Sequence, residues 1–174
     1  MQKTLKEPPR ISLNHQFCLS ITLTALFFGM PIEANGSQCG LIKDSDQRAL
    51  CRAQTRRSAS QCGLIRDSDL RAYCRATINK SSSQCGLIRD SDLRNQCRAS
   101  QAPTGQGSSQ CGLIRDGDQR AFCRAKHASS TSQCGLIRDG DLRAYCRASV
   151  SGARSQCGLI RDRDLRSRCR AESR

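Results

Sequence analysis

The sequence predicts a small all-α protein made of six tandem, disulfide-stapled helical hairpins. Each is about 17 residues long, joined to the next by a flexible linker, and no single large core is expected. Three observations carry that expectation. A seventeen-residue motif recurs six times. Every copy holds two cysteines at one fixed spacing. The second half of every copy has the apolar period and the opening residue of a helix.

The chain starts with a stretch unlike the rest. Lys3, Lys6 and Arg10 precede an apolar run from Phe17 to Met30, and Ala34-Asn35-Gly36 follows. That order predicts a signal peptide over 1–36, cleaved to leave Ser37 first. The run is shorter than the roughly 20 residues of a membrane span, and an uncleaved leader anchoring the protein to a membrane is the alternative. Cys18, inside the run, reads as an ordinary small apolar residue.

The repeats occupy 37–53, 60–76, 83–99, 109–125, 132–148 and 155–171. The second reads SQCGLIRDSDLRAYCRA, and every copy opens Ser-Gln-Cys-Gly-Leu-Ile and closes Cys-Arg-Ala. Eleven residues always separate the two cysteines of a copy, while the spacing between copies varies. A constraint inside the unit explains that contrast. The favoured pairing is therefore Cys39 with Cys51, Cys62 with Cys74, Cys85 with Cys97, Cys111 with Cys123, Cys134 with Cys146, and Cys157 with Cys169. Pairing each unit with the next would strand Cys39 and Cys169. Spacing alone does not settle connectivity.

Asp67 is placed to cap the helix of the second repeat, its carboxylate accepting from free N–H groups of the first turn. The equivalent caps are Asp44, Asp90, Asp116, Asp139 and Asp162. Asp69 follows in the first turn, where its charge complements the helix dipole. Leu70, Tyr73 and Cys74 share one face of a helix of about nine residues, and Arg71 and Arg75 share a solvated one. Gly63 weakens the first half, which reads as one turn before a bend at Arg66-Asp67. With Leu64, Ile65, Leu70, Tyr73 and one cystine as its apolar material, such a unit needs its disulfide. Closing a loop of this size contributes about 3 kcal/mol in the chain-entropy model.

The linkers are rich in Ser, Ala, Thr and Arg. The longest, 100–108, carries Pro103, Gly105 and Gly107 and reads as a flexible join between two groups of three repeats. Loosely connected beads are favoured over a stacked array. The position of Tyr73 is held elsewhere by Leu50, Gln96, Phe122, Tyr145 and Arg168, and a packed contact should not accept Gln or Arg.

Several chemistries are disfavoured. Zinc sites use cysteine pairs two to four residues apart, whereas each unit offers two thiols eleven apart and the only histidine beyond the leader is His127, in a linker. The Asp-x-Asp step lacks the further oxygen ligands of a calcium loop, since Leu70-Arg71 follows Asp69. No repeat contains histidine, and disulfides would consume every repeat thiol. No enzyme activity, cofactor, metal or small-molecule substrate is expected. Asn79-Lys80-Ser81 fits a glycosylation sequon, a motif short enough to arise by chance.

Charge remains. From Ser37 onward, 26 Lys and Arg stand against 13 Asp and Glu. The last repeat is the most basic, and its Arg161, Arg163, Arg166, Arg168 and Arg170 are the candidate contacts to an anionic partner. The expected role is multivalent electrostatic binding to an anionic envelope polymer, extracellular polymer or membrane surface. The alternatives are a secreted cationic effector and, less favoured for want of aromatic stacking surfaces, a nucleic-acid-binding protein. Twelve paired cysteines point to a secreted or periplasmic setting.

Overall fold

Which Asp opens each helix decides where the helix starts. In the computed structural model, which describes residues 37–103 and 106–173, the main helices are α1 (Ser45–Arg56), α2 (Ser68–Asn79), α3 (Ser91–Gln101), α4 (Gly117–Ala128), α5 (Gly140–Ser151) and α6 (Arg163–Glu172). The signal-peptide reading of 1–36 lies outside the described residues. Asp44, Asp67, Asp90, Asp116, Asp139 and Asp162 each accept from the backbone N–H three residues on, at 2.7 Å. These bonds satisfy N–H groups that the first helical turn leaves without a partner.

Most of the helices outlast the nine residues expected and run into the linkers. Thr55, Thr77, Ser100 and Ser149 read as loop residues by composition. Their hydroxyls instead donate to carbonyls three or four residues back, so they sit within helix. Left-handed caps at Arg57, Lys80, Ser129 and Gly152 then end α1, α2, α4 and α5. Helix α3 stops differently: Ala102, the residue before Pro103, is extended, as a following proline demands.

A short helical turn precedes each main helix, over Cys39–Leu41, Ala59–Leu64, Ser82–Cys85, Gly107–Gly112, Gln133–Leu136 and Arg154–Leu159. Two links fold this turn back on its helix. One is the disulfide, which joins Cys39–Cys51, Cys62–Cys74, Cys85–Cys97, Cys111–Cys123, Cys134–Cys146 and Cys157–Cys169. The other comes from the fourth helical residue. Arg48, Arg71, Arg94, Arg120, Arg143 and Arg166 each donate to the isoleucine carbonyl of their own repeat, at 2.6–2.9 Å. Arg71 is therefore half-buried and pinned, where the sequence placed it on a solvated face.

The apolar core lies between repeats. Cys62, Ile65 and Cys74 of the second repeat pack against Ala49, Leu50 and Ala53 of the first. Cys85, Ile88 and Cys97 pack in the same way against Ala72 and Ala76. Each repeat thus presents a cystine and a buried isoleucine on one side and alanines on the other. The small alanines let the neighbouring cystine approach the helix closely. Leu64, expected inside, is 62% exposed, while Ile65 is 1% exposed.

These contacts overturn the preference for separate beads. The second helical aspartate of each repeat also binds its neighbour. Asp46 accepts from the backbone N–H groups of Arg66 and Asp67, and Asp69, Asp92, Asp118 and Asp141 repeat the contact onto the next repeat, at 2.8–3.1 Å. Asp92 makes it onto Arg115 and Asp116, so the long linker does not divide the array into two groups. Asp164 of the last repeat makes the same contact with Lys43 and Asp44 of the first. Ala171 of the last repeat packs on Cys39, Ile42 and Cys51 of the first. The six repeats therefore close into a ring with one contact repeated around it.

Two outcomes follow from that closure. A Cys74→Ser change removes a staple whose cystine also fills the α1 surface, so hydrogen exchange should speed up in the first and third repeats as well as the second. Exchange confined to 60–76 would mean the repeats fold independently.

The second outcome is acid opening. The neighbour's backbone N–H groups, more than the adjacent arginines, hold the six clasping carboxylates below the ordinary range. A depressed native pKa adds stability above the unfolded value and loses it as pH falls through the native one. Stability should stay level above about pH 5 and fall below about pH 4. The junction between last and first repeats has no covalent continuity and should open first, seen as faster exchange of the Lys43 and Asp44 amides in acid.

Candidate binding surfaces in the central cavity and on the outer wall

Because the same contact carries every repeat into the next, all six helices keep one orientation about the ring axis and turn one stripe inward. That stripe consists of the third, sixth and tenth helical residues, Ser149 of α5 excepted, and it lines a central cavity of about 570 Å³. The sixth position is the one held by Leu50, Tyr73, Gln96, Phe122, Tyr145 and Arg168. Its variety weighed against packing between repeats, but this position lines the cavity as well as touching the neighbouring repeat: Leu50 packs on the second repeat, Phe122 stacks on Tyr145 and Arg168 reaches Gln47 and Gln54.

One wall of the cavity is polar and tied together. Arg168 pairs with Glu172 at 2.8 Å and donates to Gln47 and Gln54 across the closing junction. The Tyr145 hydroxyl donates to Glu172. Phe122 stacks on Tyr145 with centroids 5.5 Å apart, and the Arg168 guanidinium lies 5.8 Å from the Tyr145 ring centroid. Burial alone would raise the Glu172 carboxyl, but Arg168 and the Tyr145 hydroxyl outweigh it and hold the carboxyl below its usual range. Burial also pushes the Tyr145 phenol up. Arg168, expected to meet an outside partner, is instead committed to this internal network. Arg166 is likewise committed to the Ile160 carbonyl.

The outer wall is different. Between α4 and the following repeat lies a groove of about 500 Å³ that includes Arg120, Arg124, Arg138 and Leu136. The next junction forms the same groove with Arg143, Arg147, Arg161 and Leu159. Lys43, Arg66, Arg89, Arg115, Arg138 and Arg161 are all exposed, as are Arg75, Arg98, Arg124, Arg147 and Arg170. Arg163, which extends the basic surface of the last repeat, is exposed too. Leu41, Leu64, Leu87, Leu113, Leu136 and Leu159 are 58–65% exposed beside them.

The aspartates do not neutralise these cations by pairing. One Asp of each repeat caps its helix and the other clasps the next repeat. Among the described residues the one ion pair is Arg168–Glu172, inside the ring. The same occupancy accounts for the Asp-x-Asp step without calcium.

One group of residues has metal-ligand proximity. His127 lies in the last turn of α4, not in a linker, and its ring nitrogen is within 4.8 Å of the sulfurs of Cys111 and Cys123. Those sulfurs are bonded to each other and carry no thiolate. His127 packs over Gly107, where a Cβ would come within 2.3 Å of the ring. Burial, with Lys126 adding to it, holds the imidazole below its ordinary pKa.

No protein family, curated protein or solved structure matches the chain.

The clasping role of Asp46, Asp69, Asp92, Asp118, Asp141 and Asp164 went unread in the sequence. A signal was present. The first helical residue varies among Ser, Gly and Arg, while the second is Asp in all six copies. A carboxylate serving only the helix dipole would also be effective as Glu or one position away.

The internal network yields a direct expectation. Glu172→Gln leaves the half-buried Arg168 without its carboxylate and should destabilise the ring by about 1–3 kcal/mol. Arg168→Gln should cost a similar amount, and the pair Arg168→Gln with Glu172→Gln should cost less than the two single changes summed. Denaturant unfolding of the four proteins checks this, and additive losses would mean the two side chains act separately.

Proposed function

We propose that this protein is an exported, disulfide-stapled ring that binds a repetitive anionic polymer along its outer wall. The observation that carries the reading is the regular display of exposed cations, Lys43 in the first repeat, two arginines in each of the next four and three in the last, with no carboxylate paired to them among the described residues. A rigid ring presents these charges at fixed intervals, so successive contacts cost no linker entropy. Multivalent attachment of this kind exceeds single-contact affinity by about 10²–10⁴ when the partner repeats. Six disulfides belong to an oxidising compartment. Among the described residues no helix is long and apolar enough to cross a membrane. The disulfides support a secreted or periplasmic site of action.

A second reading has its own support. The exposed leucines beside the arginines make the wall amphipathic, which suits a secreted cationic effector acting on anionic lipid. Nucleic acid is the least supported partner. Tyr73, Phe122 and Tyr145 all turn into the cavity and offer no outer stacking platform.

Binding of the oxidised protein to a sulfated polysaccharide, and to vesicles with and without an anionic phospholipid, tests the reading. Raising salt from 50 to 200 mM should weaken polysaccharide binding by on the order of a hundredfold or more. Arg161, Arg163 and Arg170 changed together to Gln should weaken it more than Arg89 and Arg98 changed to Gln. Salt-insensitive binding would overturn the electrostatic reading. Leakage of anionic vesicles with no polysaccharide binding would favour the effector.

A further inference from the structure

We propose that the central cavity is a binding site for a single-chain amphiphile with an anionic head group. Its tail would lie among the leucines at the helix N-terminal end, and its head would sit at Lys126. This site is separate from the outer wall, and neither reading depends on the other.

The cavity is graded along its axis. At the third helical position, four of the six residues are leucines: Leu70, Leu93, Leu142 and Leu165. At the tenth position the lining is Gln54, Thr77, Ser100, Lys126 and Glu172, all polar. Seven helical residues separate these levels, a rise of about 10 Å. Between them the sixth-position side chains Leu50, Tyr73, Gln96, Phe122, Tyr145 and Arg168 line the cavity. The volume, about 570 Å³, falls in the range of small-molecule sites, roughly 300–1,000 Å³. Leucines facing unfilled space forgo contacts that an alkyl chain would restore. Leu70, Leu93, Leu142 and Leu165 pack with one side against the junction clusters of alanine, isoleucine and cystine and stay only partly buried, their other side lining the cavity.

Charge at the polar end selects the head group. Glu172 is held by Arg168 and Tyr145. Lys126, exposed at the rim, makes no ion pair among the described residues, though its charge reaches Glu172, and His127 beside it supplies a further polar ring. The helix C-termini at this end carry partial negative charge, about half a unit each, which favours a cation. The left-handed cap residues of α1, α2, α4 and α5 each donate to one carbonyl, at Ala53, Ala76, Ala125 and Ala148, and against the remaining partial charges stands the full charge of Lys126 among the cavity-lining side chains. A cationic amphiphile is therefore the critical competitor.

Calorimetry of the oxidised protein with decanoate, decanol and decylamine tests the site. Decanoate should bind with one equivalent per chain and at least tenfold more tightly than decylamine. Lys126→Gln should weaken decanoate about tenfold and leave decanol within twofold. The substitution suits the fold, because Gln54 holds the equivalent place in α1. Gln96→Trp should abolish binding of all three by filling the cavity. An aromatic there is compatible with the ring, since Tyr73, Phe122 and Tyr145 hold the same position in other repeats. Helical circular dichroism and intact mass before and after reduction report that both variants are folded and bridged. Absence of decanoate binding, equal or tighter binding of decylamine, or binding unchanged in folded Gln96→Trp would overturn the proposal. Several equivalents bound equally by all three proteins would place the amphiphile on the outer wall and overturn it as well.

Discussion

The bond on which this ring depends is the one from a helical carboxylate to the two backbone N–H groups that begin the next helix. It places the next repeat by its main chain, so side-chain differences do not alter its position. The capping aspartate of the receiving repeat is itself one of the two donors, because Asp67 gives its N–H to Asp46 while its carboxylate caps α2. One step therefore fixes both where the next helix lies and where it starts. Applied six times it returns to the start, so each step turns the chain by roughly one-sixth of a revolution.

Closure also answers the problem of size. A hairpin of seventeen residues cannot bury a core, and an open array of such units needs capping repeats at both ends. Here the first and last repeats cover each other, with Ala171 on the first cystine and Arg168 reaching Gln47 and Gln54. The disulfide and the Arg–isoleucine bond hold each hairpin closed, and the neighbour supplies the apolar surface it lacks. Stability and closure are consequently one property, unlike in a linear solenoid, where a missing end frays locally.

Much of the local structure was legible in the residues. Asp67 and its equivalents announced the helix starts, and the fixed cysteine spacing announced a staple within each unit. The apolar period placed Ile65 and Leu64 together, but could not tell that one turns inward and the other out, because both sit in a turn without helical period. The relation between repeats was lost for a different reason. Side-chain variety at the position of Tyr73 argued against packing, on the assumption that a face shared with Cys74 must meet a neighbour. In a ring a helix also has an inner surface that borders the cavity, where pairs as different as Phe122–Tyr145 and Arg168–Gln47 can meet, and variety there is compatible with tight junctions at Ala72 and Ala76. Arg168 was misplaced by the same route. Counting charges along the last repeat could not distinguish a guanidinium at the outer wall from one folded into the interior.

The distribution of change among the repeats separates two kinds of surface. What faces a neighbour is nearly constant: cystine, isoleucine, alanine and the clasping aspartate. What faces outward, an Arg or Lys before each capping Asp and a leucine three residues ahead of that Asp, is also repeated six times. The inward stripe differs most from repeat to repeat, running from Leu50 and Tyr73 through Gln96 to Arg168. A partner that reads the constant outer wall meets the same chemistry at every step, which suits a polymer and gives no reason for one orientation over another. A partner inside meets each side chain once. The near-sixfold symmetry is broken there by Arg168, Glu172 and Lys126, so a ligand in the cavity would have a defined direction. Recognition of a repeating surface and of a single small molecule are thus compatible on one ring, because they draw on helix faces that do not overlap.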